Sequence, residues 1–153
     1  MTKDELNDLQ LPFDGSALEL GGHFAVLLFD DYVVKIPRSK QKQEQMERIA
    51  EAHNTLSSEL EGVLPCVVKE GRFLVMPKAV GTRVSDLPHG KKVEMERRIS
   101  DMKKRAEVRG YVLRDIKLRD SFYDEDNDRL TIVDLSSVDS LRTGNRRARK
   151  AKR

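Results

Sequence analysis

The chain has 153 residues, with 29 Lys and Arg against 26 Asp and Glu, 38% hydrophobic and 36% charged residues, and a formal net charge of +3. A chain of this length makes one domain that buries about 68–70% of its unfolded surface, and its longest apolar runs fall well short of a membrane span, which excludes a helical membrane protein. The single Cys66 has no partner for an internal disulfide and lies in an apolar run as a buried thiol; the start Met1-Thr2-Lys3-Asp4-Glu5 is unlike a secretory signal, so a cytoplasmic setting is expected.

Met1 to Ala17 is unpatterned and is expected to be an N-terminal extension. From Glu19 to Phe29 the sequence predicts two short strands joined by a turn at Gly21-Gly22, and Tyr32-Val33-Val34-Lys35-Ile36-Pro37 predicts a third, with Asp30-Asp31 as the turn between. Lys35 is unusual inside a β-branched run, because a half-buried ammonium needs a partner; an exposed place on the polar face of an edge strand is the plain alternative.

Ser39 to Leu60 predicts an amphipathic helix, since Met46, Ile49, Ala50, His53, Leu56 and Leu60 recur at three- and four-residue spacing with Glu44, Glu47, Glu51 and Glu59 among them. Val63 to Glu70 and Arg72 to Met76 flank Gly71 as a hairpin. A second helix is expected from Gly90 to Arg109, with Met95, Ile99, Met102 and Ala106 on one face and Gly110 as its terminating cap. Phe122-Tyr123 and Leu130 to Val133 predict two more short strands around Asp124 to Asp128. That acidic turn lacks the glycine and distal glutamate of a calcium loop and is expected to be solvent-exposed.

The chemistry concentrates at Tyr111-Val112-Leu113-Arg114-Asp115-Ile116-Lys117-Leu118-Arg119-Asp120, followed fourteen residues later by Asp134 at the end of an apolar strand. An acid, a lysine two places on, a metal-capable carboxylate at the fifth place and a further acid beyond a hairpin-length gap are the parts that phosphoryl transfer uses. The transferred group needs a carboxylate to orient the attacking hydroxyl and oxygen ligands to hold magnesium on the phosphates.

Taken in order, strand lysine, glutamate helix, apolar hairpin, acid loop and strand-end acid, the chain from about Leu18 to Val138 resembles the protein-kinase-like superfamily, in particular its small bacterial and phage members. The resemblance implies an α+β fold of reduced kinase type: an N-terminal antiparallel sheet with one glutamate helix over 18–76, a hinge and truncated helical C-terminal lobe over 77–138, and a basic tail over 139–153 after the extension 1–17. It implies that Asp115 is the catalytic aspartate, which orients the acceptor hydroxyl or accepts its proton, and Lys117 the neutralising cation, that Asp120 and Asp134 hold Mg2+, and that Lys35 holds the phosphates of ATP. Glu47, with Glu51 as the alternative, would orient Lys35. Gly21 and Gly22 would cradle phosphate, Met76 would be the gatekeeper, and the Pro77 carbonyl and Ala79 amide would meet adenine; proline lacks only the donor, which this position does not use.

The pattern has departures. His23 stands where a further glycine is frequent, Leu113 replaces a histidine, Asp120 replaces an asparagine and so adds charge to the metal site, and Leu135-Ser136 replaces Phe-Gly. Only nineteen residues follow Asp134, too few for an activation segment or a peptide platform, which makes homodimerisation attractive. The function implied is an ATP-dependent phosphotransferase acting on an unspecified hydroxyl acceptor, a protein among the candidates. The alternatives are an inactive pseudokinase that binds nucleotide or a partner, and a nucleic-acid-binding protein.

The last alternative comes from the tail. Arg142 and six of the eight residues from Arg146 to Arg153 are basic, and removing those seven charges from +3 leaves −4. Such a tail is a solvated extension or a contact for nucleic-acid phosphates or an acidic partner, and it carries no aromatic residue to stack on bases.

Overall fold

A computed structural model of the chain describes residues 1–12, 24–135 and 138–140, the last three by backbone alone. Among them it is an α+β protein with three α-helices and antiparallel strand pairs throughout its sheets. The chain divides into two compact units, Met1–Asn54 with Leu64–Lys78, and Thr55–Val63 with Ala79–Arg153.

In the first unit, helix α1 (Lys3–Asp8) lies within the stretch expected to be an N-terminal extension. Thr2 caps it, its hydroxyl accepting from the Glu5 amide at 3.2 Å, and Leu6 is fully buried. Its six residues contain one apolar anchor, too little for a hydrophobic period to register. Strands β1 (Phe24–Leu28), β2 (Tyr32–Pro37), β3 (Val67–Lys69) and β4 (Phe73–Pro77) form a sheet of order β1-β2-β4-β3. Helix α2 (Lys40–Ser57) starts where Ser39 supplies the cap, its hydroxyl accepting from the Lys42 amide at 3.1 Å and its carbonyl from the Gln43 amide at 3.0 Å. The expected helix thus stands, trimmed at its end.

Strand alternation sorts the side chains of this unit into two clusters. Met46, Ile49 and Ala50 of α2 pack with Cys66, Leu74 and Met76, joined by Phe24, Val33 and Val68. Leu6 packs with Val34, Val67, Phe73 and Val75, joined by Leu9, Leu11 and Ile36. Each fully buried aliphatic or aromatic side chain stabilises by about 1.5–3 kcal/mol, so α1 is an integral layer. Lys69 reinforces it, its ammonium donating to the carbonyls of Asn7 (2.7 Å) and Leu9 (2.5 Å) at the end of the helix. On α2, the Asn54 amide nitrogen donates to the Cys66 carbonyl at 2.7 Å and its oxygen accepts from the Cys66 amide at 3.0 Å, while His53 Nδ1 donates to the Leu64 carbonyl at 3.0 Å. These bonds pin the approach to β3. Cys66 is fully buried, as expected, and burial pushes its thiol up to about 12.

The second unit holds β5 (Thr82–Arg83), α3 (His89–Val108), β6 (Tyr111–Leu113), β7 (Ser121–Asp124), β8 (Arg129–Ile132) and β9 (Val138–Ser140). Pro88 opens α3, its carbonyl accepting from the Lys92 amide at 3.0 Å. Gly110, at φ 91°, ends it by donating to the Glu107 carbonyl at 3.0 Å, the terminating role read from the sequence. Met95, Ile99, Met102 and Ala106 are its buried face, as the spacing predicted. Strands β7 and β8 make the expected hairpin and β5 pairs with β7, while β9 pairs with β6. The expected basic tail therefore begins after a strand that already reaches Ser140. Gly21 and Gly22, and the basic residues Arg142 and Arg146 to Arg153, lie outside the described residues. No helix of the described residues is long and apolar enough to cross a membrane.

Candidate functional site

In the first unit, Lys35 stands opposite Val26 on β1 and Leu74 on β4. Its neighbour Val34 points into the cluster under α1, so alternation turns Lys35 to the other face of the sheet, the one α2 covers. The Lys35 ammonium is felt by the Cys66 thiol on that same face, where it opposes the effect of burial. Lys35 is half-buried and engaged in an interaction of its own. Glu47 and Glu51 are both on the exposed side of α2, adjacent to the buried Met46 and Ala50. Met76 and Pro77 are buried at the end of β4, opposite Val33 and Tyr32, and the next residue, Lys78, donates its amide to the Asp31 carbonyl at 3.0 Å. Ala79 begins the long segment of the second unit and is half-buried.

The second unit gathers the acids. Strand β6 ends at Leu113, and the chain turns at Asp115, whose φ of 54° is in the left-handed region that aspartate enters more readily than most residues. Unlike Glu70 and Asp128, the other non-glycine residues with positive φ among the described residues, Asp115 is not in a hairpin turn. Its carboxylate is exposed and 3.8 Å from the Lys117 ammonium. Lys117 then starts a 3-10 turn, Leu118–Asp120, its carbonyl accepting from the Asp120 amide at 3.0 Å and the Ser121 hydroxyl at 3.4 Å.

Two backbone features bring the distant acid to this loop. The Val133 amide donates to the Asp120 carbonyl at 3.0 Å, so Asp120 lies beside the residue that precedes Asp134. The β6–β9 pairing sets Leu113, two residues before Asp115, opposite Val138, four residues after Asp134. Asp120 and Asp134 are half-buried, and each is engaged in an interaction of its own. Magnesium is held by one or two protein carboxylates, with phosphates and water completing its shell. A pair of carboxylates fits that habit, and among the described residues no group of three or more His, Cys, Asp or Glu gathers into an all-protein metal cage.

A network unforeseen from the sequence secures the hairpin that joins these acids. The Tyr123 hydroxyl donates to Asp128 at 2.7 Å and Arg98 pairs with the same carboxylate at 2.8 Å and with Glu94 at 3.1 Å. Arg98 and Lys91 also stand over the Tyr123 ring, 5.7 and 5.1 Å from its centroid. The Tyr123 bond, then Arg98, holds the Asp128 carboxyl below its usual 3.8. The acidic turn is exposed as expected, yet tied to α3; the Glu94–Arg98 spacing is legible in a sequence, the bond to Asp128 thirty residues on is not. No protein-family model and no curated protein matches the chain.

Proposed function

We propose that the chain is a Mg-ATP-dependent phosphotransferase of reduced protein-kinase-like fold, acting on a hydroxyl acceptor. The observation that carries this reading is the Val133-to-Asp120 backbone hydrogen bond, which brings the chain segment of Asp134 to the loop that holds the exposed Asp115–Lys117 pair. General acid–base work asks for one accessible carboxylate that a hydroxyl can reach, and metal binding for oxygens already held in place. Asp115 answers the first need and Asp120 with Asp134 the second.

In this reading Asp115 orients the acceptor hydroxyl and takes its proton, while Lys117 offsets the charge on the transferred group. Lys35 binds nucleotide phosphates, with Glu47 as its orienting partner, and Met76, Pro77 and Ala79 meet the base. Magnesium, held by Asp120 and Asp134, supplies charge neutralisation on the phosphate oxygens. Binding is tested by thermal unfolding at millimolar ATP. A ligand selective for the folded state stabilises by about 2.7 kcal/mol at a hundred times its Kd, so magnesium with ATP raises Tm by several degrees, and Asp134→Ala removes most of the rise. A wild-type melting curve that ignores ATP and magnesium would falsify the reading.

A further inference from the structure

A cleft that the proposed reaction leaves unused lies wholly within the second unit, between α3, the start of β8 and the loop after α2. Its volume is about 220 Å³, and none of the residues assigned to nucleotide, metal or phosphoryl transfer lines it. Leu60, Met102 and Leu130, all buried, give it an apolar floor. Two ion pairs stand in its walls: Arg98 donates to Asp128 at 2.8 Å, and Arg129 lies 3.4 Å from Glu61. Those four charges cancel. Asp101 and Arg105 complete the lining, and both are exposed. They stand one turn apart on α3, a spacing at which aspartate and arginine ordinarily bridge. Here they do not bridge, and neither side chain makes a hydrogen bond or ion pair among the described residues.

A cleft with an apolar floor and one unspent charge of each sign is complementary to a small zwitterion that carries an apolar side chain. Guanidinium takes a carboxylate through paired, charge-assisted hydrogen bonds, and a carboxylate takes an ammonium in the same charge-assisted way. We propose that this cleft binds a free aliphatic α-amino acid, with its carboxylate on Arg105, its ammonium on Asp101 and its side chain over Leu60, Met102 and Leu130. The volume is below the roughly 300–1,000 Å³ of sites for drug-sized ligands, which suits a metabolite of this size and not a nucleotide. A plain anion would face Asp101 with like charge, and a plain cation would face Arg105 in the same way. An internal residue of a polypeptide brings neither charged terminus. The site is separate from the Asp115 loop, and the proposal holds whether or not the chain transfers phosphate.

The test is titration of the isotope-labelled full-length chain with L-leucine, followed by its backbone amide shifts. Leucine is expected to move the amides of Asp101, Met102, Arg105 and Leu130 with a Kd of about 1 mM or below. Four analogues delete features in turn: isocaproate lacks the ammonium, isoamylamine the carboxylate, glycine the side chain, and N-acetyl-leucinamide both charges. Each should bind about tenfold more weakly or worse. Arg105→Ala should weaken leucine by about tenfold and leave isoamylamine as it was or tighter. Asp101→Asn should weaken leucine and leave isocaproate as it was or tighter. Pairing each variant with its matched analogue separates a lost contact from a general loss of structure, which would weaken every ligand alike. Cleft amides that ignore leucine at about ten times the expected Kd overturn the proposal. So does an analogue that binds as tightly as leucine: with one charge it would mark a simple ion site, and as N-acetyl-leucinamide a docking point for a polypeptide side chain. A variant that weakens leucine and its matched analogue equally refutes the zwitterion assignment.

Discussion

Gly62→Ala is the substitution whose effect follows most directly from the geometry. Gly62 has φ 94°, and a Cβ built on it would lie 2.2 Å from the Leu130 carbonyl oxygen and 2.9 Å from the Met102 Cε. The Met102 methyl can swing aside; the Leu130 carbonyl is part of β8 and cannot. The Gly62 carbonyl also accepts from the Ile132 amide at 2.8 Å, beside the parallel bridge of Val63 to Ile132. Left-handed strain at a non-glycine residue costs about 1–3 kcal/mol, overpacking against backbone about 1–3 kcal/mol, and a lost backbone hydrogen bond about 0.5–1.5 kcal/mol. The sum is roughly 2.5–7.5 kcal/mol, a large part of the about 5–15 kcal/mol that holds an ordinary domain. Gly71→Ala is the matched control: φ is 62° and nothing lies within 4 Å of its Cβ, so only the left-handed penalty of about 1–3 kcal/mol applies. Urea unfolding followed by far-ultraviolet circular dichroism measures both. Equal destabilisation of the two variants, or less than about 1.5 kcal/mol for Gly62→Ala, would refute the claim that close backbone approach fixes β8.

Leu6→Ala should destabilise the first unit by about 2–5 kcal/mol, as truncation of a fully buried leucine does, and denaturant unfolding that shifts by less than about 0.5 kcal/mol would return α1 to the status of an extension. Tyr123→Phe removes the main cause of the lowered Asp128 value, so the titration of that carboxyl, followed by its carbon chemical shift, should move up towards 3.8. The sign follows from linkage: the ionised Asp128 stabilises the fold above the unfolded value, and that stabilisation is lost as pH falls through the lower folded one. An unmoved titration would show that the Tyr123 hydroxyl does not hold Asp128.

Elements with strong local periodicity were legible in the sequence. The α2 and α3 faces, the cap at Gly110 and the β7–β8 hairpin each advertise themselves within a window of about 11–18 residues. Pairings between distant segments were not, because no local pattern records them: β9 returns to β6 across the whole acid hairpin, and Val63 joins β8 by a single bridge. Helix α1 escaped since its stability comes from Leu6 and Lys69 contacts rather than from its own six residues. At the candidate site, the spacing of Asp115, Lys117, Asp120 and Asp134 was visible, whereas the backbone bond from Val133, the residue before Asp134, to Asp120 was not. The choice of Glu47 over Glu51 rested on a helical stripe alone, and a stripe fixes which side of α2 is buried without selecting between two exposed glutamates one turn apart.

Transfer of the labelled γ-phosphate of ATP, measured for the wild type and for Asp115→Asn, tests the central claim most directly. The wild type should label itself or a pool of serine- and threonine-containing peptides only when magnesium is present. Asp115→Asn should retain the stabilisation by magnesium and ATP yet lose about a hundredfold or more of the transfer rate, as expected when a positioned base is removed. Label that appears equally with Asp115→Asn, or a wild type that transfers none in magnesium, would contradict the account.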